Sequence, residues 1–132
     1  MEFLKQYEIF FKKAKTDLKA AKILLENFEK GDEELDLETI MFHLQQSAEK
    51  LLKALLSYNG IHFTKTHDIE KLLKELKDNN IKILSESEEL IELSEYGVEG
   101  RYSIIYDDLE DADNYIKILE KLVEFVKREI NK

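Results

Sequence analysis

Proline, cysteine and tryptophan are absent from the sequence, and glycine appears only four times. Without cysteine there can be no disulfides and no thiolate metal sites, which fits a cytosolic protein. With no proline and so little glycine, few residues interrupt the backbone, and helices are favoured. No apolar run approaches the length of a membrane span. The N-terminal MEFLKQYEIFF lacks the layout of a secretory signal, so no membrane association is expected. Positive charge is outweighed, 20 Lys and Arg against 29 Asp and Glu. A net charge of -9 argues against a general nucleic-acid scaffold, because polyphosphate binding rests on clustered Lys and Arg.

What is present describes a globular chain. The 132 residues are 43% apolar and 37% charged, enough for one domain over residues 1–132 with its own core. The charge falls in blocks. Residues 1–25 carry Lys5, Lys12, Lys13, Lys15, Lys19 and Lys22 against Glu2, Glu8 and Asp17. Residues 26–49 hold Lys30 alone among acids, and residues 85–113 hold Arg101 alone among acids. Such blocks suit a protein that meets an electrostatically defined partner, although solvated helix faces give the same pattern.

Apolar spacing predicts three long helices. Phe3, Tyr7, Phe10, Phe11, Ala14, Leu18, Ala21, Leu25 and Phe28 form one face of a first helix, with the lysines on roughly the opposite side. Gly31 is placed to end it. A second helix over about Asp36 to Tyr58 has Ile40, Met41, Leu44, Ala48, Leu51, Leu52 and Leu55 as its core stripe and closes at Asn59-Gly60. Two shorter helices follow, IEKLLKEL and SESEELIELSEY, the latter with Ser85 or Ser87 as cap. The last helix starts near Asp108 and runs to about Ile130 on Ala112, Ile116, Leu119, Leu122, Val123, Val126 and Ile130. Asp107 with Glu110, and Asp108 with Asp111, approximate capping boxes at its start. The fold expected is an all-α, up-and-down bundle of three long and two short helices.

Few constellations carry chemistry. Phe42, Gln46, Glu49, Lys50 and Lys53 cluster on the side of the second helix away from its leucines. A Glu49–Lys53 pair at i,i+4 suits a solvated face. An aromatic among polar residues there suits a protein contact instead. In KTHDIEK, Thr66 or Asp68 would cap the next helix, which is the plain reading of the turn that carries His67. His43 lies beside Phe42 on the second helix, packed or solvated. The acidic DDLEDAD lacks the glycine and spacing of a calcium loop. No phosphate loop, nucleophile elbow or zinc motif occurs, so neither metal nor cofactor is expected.

The segments QSAEKLLKALL, THDIEKLL and GRYS, in that order, resemble the HEPN family of small all-helical domains. The resemblance extends from AKTDLKAAKILL through the last helix. It implies a bundle of about five helices, usually a homodimer, often encoded beside a minimal nucleotidyltransferase. Many such pairs are toxin–antitoxin systems whose HEPN member is a metal-independent ribonuclease. The family signature is an Arg, four to six intervening residues and then a His, the Arg to stabilise phosphate charge and the His to move protons. Here Arg101 matches the Arg, while Tyr106, Asp107 and Asp108 occupy the places of the His. His43, His62 and His67 all lie upstream. Tyrosine is a poor proton shuttle at neutral pH, and an Asp serves as a base only if burial raises its pKa.

Three readings follow. In the first, the chain is a binding module, a HEPN-type dimer that contacts a nucleotide or a partner nucleotidyltransferase. Arg101, Tyr102, Lys50, Lys53 and His67 then form the anion set, and Phe42, Gln46, Glu49 and Lys53 the dimer contact. In the second, it is a ribonuclease toxin acting on RNA through Arg101 with Tyr106 or Asp107. In the third, it is a plain helical scaffold.

Overall fold

The computed structural model describes residues 5–63, 65–97 and 109–132. Four α-helices, α1 (Gln6–Glu29), α2 (Leu37–Tyr58), α3 (Ile69–Asp78) and α4 (Leu109–Glu129), are joined by a 3-10 segment, Ser85–Gly97, placed between α3 and α4. Among the described residues there is no strand. The expected all-α bundle of three long and two short helices is what forms, with the fourth element wound as 3-10 helix rather than α-helix.

The helix ends follow local chemistry. The backbone N–H of Lys5 donates to Glu8 Oε1 at the start of α1, and Gly31, at φ +96°, turns the chain after it. Asp36 caps α2 by accepting from Thr39 N–H at 2.7 Å. Gly60, at φ +71°, follows its C-terminus. Asn80 takes the same left-handed region after α3, at φ 58°, where asparagine is tolerated. Ser87 does not cap the 3-10 segment. Its hydroxyl is buried and finds no hydrogen-bond partner among the described residues. The proposed capping residues Asp107 and Asp108 lie outside the described residues.

α2 is the axis of the bundle: α1, α3, α4 and the 3-10 segment all pack against it. All seven of its expected core residues, Ile40 through Leu55, are fully buried. Ala54 and Leu56 join them, so the helix is covered on most of its circumference. Small residues bring α1 close. Ala14 and Ala21 are fully buried, and Ser47 Oγ donates to the Ala14 carbonyl at 2.9 Å across the seam. Tyr7 stacks edge-on against Tyr58, so α1 and α2 run antiparallel. The hydroxyl of Tyr58 donates to the carbonyl of Lys132, which places the end of α4 at the end of α2. Tyr115 and Ile118 are buried on α4 in addition to its expected stripe, while Val123 and Ile130 are only half-buried.

Candidate anion-binding cleft on helix α2

Gln45, Glu49 and Lys53 follow one another at i,i+4 along α2 and therefore share one line on its surface. That line faces the connector between α2 and α3, not open solvent. Glu49 is only 4% exposed and Gln45 fully buried. Expecting Glu49 on a solvated face is therefore incorrect. Helical spacing correctly put it away from the leucines, but a second layer of chain covers it.

The covering residue is His67. Its position is set by a series of local bonds. Thr66 Oγ1 accepts the Asp68 N–H at 3.0 Å, and Asp68 Oδ1 accepts the Glu70 and Lys71 N–H groups as the cap of α3. The Ile69 N–H donates to Ser94 Oγ of the 3-10 segment at 2.9 Å, which ties the turn to a second element. The capping role expected for Asp68 is thus observed, and it holds His67 against α2.

Glu49 is the hub of the cluster. Its Oε1 accepts from Lys53 Nζ. Its Oε2 accepts from Gln45 Nε2 at 2.8 Å and meets His67 Nδ1 at 3.1 Å. Gln45 also donates to the His67 carbonyl at 3.2 Å and accepts from Gln46 at 2.7 Å. Burial pushes the Glu49 carboxyl up, but hydrogen bonds from Lys53, His67 and Gln45, with the Lys53 charge, outweigh it and hold the carboxyl below its usual range. An ionised carboxylate only accepts, so in the neutral His67 ring the proton sits on Nδ1 and Nε2 carries the lone pair.

Beside this hub lies a cleft of about 480 Å³, lined by His67, Lys53, Lys65, His62 and Thr66 together with Phe10 and Phe63. The two phenylalanine rings lie 6.0 Å apart, and Lys53 Nζ is 5.9 Å from the Phe63 ring centroid. Lys65, His62 and His67 are exposed at its mouth. A wider groove of about 630 Å³ between α1 and α4 holds lysines too, but Glu26, Glu120 and Glu124 line it with them. Lys22 is spent there on Glu120 at 3.1 Å. The smaller cleft is the candidate anion site: Lys53 is already paired with Glu49, but exposed Lys65 and the rings of Phe10 and Phe63 meet there beside an oriented imidazole.

Lys50, expected with the anion set, is turned to α1 instead. It pairs with Asp17 Oδ2, while His43 Nδ1 meets Asp17 Oδ1 at 3.2 Å. Next to this pair Phe42 is 41% exposed, its ring edge-on to His43. Gln46, half-buried, lies one turn further along α2. Arg101, Tyr102, Tyr106 and Asp107 lie outside the described residues. Gln45, Asp17, His62, Phe63 and Lys65 were not singled out from the sequence. The repeat of Gln45, Glu49 and Lys53 at four-residue spacing is the sequence signal that could have found the first of them.

Fold and site define a small helical domain whose central helix carries a buried carboxylate shared by an imidazole and a lysine. The chain belongs to the HEPN domain family, whose pattern it matches over residues 7–129. It is 29% identical over 140 aligned positions to "Putative toxin MJ1304" of Methanocaldococcus jannaschii, a match that covers 94% of this chain and 88% of that protein. The crystal structure of ST0689, described as an archaeal HEPN homologue, superposes with a TM-score of 0.69 at 25% identity, covering 96% of this chain and 99% of that one. Among the described residues no helix is long and apolar enough to cross a membrane.

Proposed function

We propose that this HEPN protein is the binding module of a toxin–antitoxin-like pair, a homodimer that holds a nucleotide and contacts a minimal nucleotidyltransferase. The observation that carries the nucleotide reading is the cleft on α2. Lys53, Lys65, His62 and His67 converge there with the rings of Phe10 and Phe63. Lysines suit phosphate oxygens and aromatic faces suit a base. Similarity to a protein named as a toxin supports the pairing.

Isothermal titration with AMP and ATP tests the cleft. Wild-type protein should bind, and Lys65→Glu should weaken binding by roughly tenfold or more, since a charge-assisted contact is lost and an acid put in its place. Lys65 is exposed, so the variant should keep its fold. Absence of binding to wild type at millimolar nucleotide would overturn the reading.

The homodimer rests on the outward stripe of α2, where Phe42 stands exposed between His43 and Gln46. An apolar ring among polar neighbours is the usual centre of a contact patch. Light scattering at micromolar concentration should give a dimer mass for wild type and a lower one for Phe42→Glu. A monomeric wild type would end the idea.

A further inference from the structure

We infer that the groove between α3 and the 3-10 segment is a docking surface for an acidic amphipathic helix of a partner protein. It shares no lining residue with the α2 cleft or with the Phe42 stripe, so it stands apart from the nucleotide and dimer readings.

The groove follows from how α3 ends. Ile69, Leu72 and Leu76 of IEKLLKELKD are fully buried, and Leu73, one position round the helix, lands at the edge of that face. Asn80 then takes its left-handed conformation, and the Ile81 N–H returns to the Leu76 carbonyl at 2.9 Å, the bond that closes a Schellman turn. The turn brings Ile81, Ile83 and Leu84 into one groove with Leu73 and with Ile91 of the 3-10 segment. These side chains are half-buried. Their inner edges rest on the core and their outer edges line about 550 Å³ of open groove. An aliphatic surface with a polar rim marks a contact site.

Charge selects the occupant. Lys74 and Lys77 lie one turn apart on α3, Lys82 sits on the connector, and all three line the groove exposed. Among the described residues none of them is in an ion pair, whereas Lys22 and Lys121 at other seams pair with Glu120 and Glu86. The acids of the lining are Glu70, near the start of α3, and Glu88, on the 3-10 wall. The α3 side is thus positive on a protein whose net charge is -9. Among the described residues no aromatic ring lines the groove for a nucleic-acid base to stack on. A single small carboxylate would answer one lysine and leave the others. A protein segment with acids along one edge and aliphatic side chains along the next answers them all, and rim charges of this kind set partner choice. Aliphatic side chains offer nothing to the N–H and C=O groups of an extended strand, while a helix satisfies its own. Acids three or four apart on such a helix recur at roughly the 5 Å that separates neighbouring turns carrying Lys74 and Lys77.

The experiment measures fluorescence anisotropy of labelled synthetic peptides of about 16 residues, long enough to hold a helix. One carries a leucine stripe flanked by Glu, a second has Lys for every Glu, and a third keeps Glu but has Ser for every Leu. Wild type should bind the Glu peptide about tenfold more tightly than the Lys peptide, since several rim charges change from attraction to repulsion. The Ser peptide should not bind. In the double variant Lys74→Glu, Lys77→Glu the preference should reverse, with circular dichroism unchanged because both lysines are exposed. No binding of the Glu peptide to wild type at about 1 mM would overturn the inference. So would equal binding of the Glu and Lys peptides, binding of the Ser peptide as tight as its leucine parent, or a preference that survives the double variant. Displacement of the Glu peptide by dodecanoate at equal concentration would make the occupant a lipid carboxylate instead. A lower light-scattering mass for the double variant than for wild type would make it a second copy of this chain. Either result also overturns the partner helix.

Discussion

Replacing Glu49 with Ala is expected to destabilise the protein by roughly 3–5 kcal/mol, the range for breaking a buried ion pair by removing one partner. The carboxylate is 4% exposed and accepts from three side chains. Its loss leaves the fully buried Gln45 amide with a donor short of a partner and the Lys53 ammonium, 13% exposed, uncompensated. Lys53 has a flexible stem and can swing toward the cleft, which favours the lower end of the range. Against a total stability of about 5–15 kcal/mol for a domain of this kind, the loss is large enough to read from urea midpoints. A change below about 1 kcal/mol would show that the network carries little of the fold's stability. The same residue predicts a pH dependence. The folded carboxyl titrates below the ordinary value of 4.5. Its contribution is therefore complete above that value and lost as pH falls through the lower, folded one. Wild type should lose its stability margin over Glu49→Gln as the solution is acidified below about pH 4.5, and keep it at pH 7. A constant margin across that window would contradict the lowered carboxyl.

The fold was legible because it is written in local periodicity. Apolar residues at i, i+3 and i+4 marked α1, α2 and α4, and Asp36, Gly31, Gly60 and Asp68 punctuated them with chemistry that acts within a few residues. The site was half legible. Lys53 and His67 were named, but the burial of Glu49 was not foreseeable from a helical wheel. A wheel reports which side of a helix a residue occupies and says nothing about what another segment lays over that side. Glu49 is buried because the α2–α3 connector crosses it, and that crossing is fixed by long-range bonds such as Ile69 to Ser94 and Gln45 to the His67 carbonyl. Lys50 misled for the same reason. Its place beside Lys53 on the wheel hid the fact that Asp17, more than thirty positions earlier, reaches across from α1 to neutralise it. The α-versus-3-10 difference at Ser85–Gly97 has another origin. SESEELIELSEY has helical spacing, but a short segment has few hydrogen bonds to set its pitch, and packing against α2, α3 and α4 decides it.

Leu52→Ala is expected to lower stability by roughly 2–5 kcal/mol and the melting temperature by on the order of 10 °C. Leu52 is fully buried in the C-terminal half of α2, the helix on which every other element packs. Truncation removes the transfer free energy of the lost methyl groups and leaves a void that the surroundings close only in part. How much they close depends on their freedom. α1 is drawn against α2 by Ala14, Ala21 and the Ser47 to Ala14 bond, so it has little slack to move inward. The connector over Glu49 is fixed by side-chain bonds on both sides. A core held this firmly should keep most of the cavity, which places the cost toward the upper part of the range. Ile23→Ala is the control. Ile23 is 50% exposed on α1, and its truncation should cost well under about 1 kcal/mol. Thermal melts and urea titrations of the two variants side by side decide the matter. Equal losses would mean that α2 is not the axis of the core, while a loss confined to Leu52→Ala, with far-ultraviolet circular dichroism unchanged at low temperature, is the outcome the packing requires.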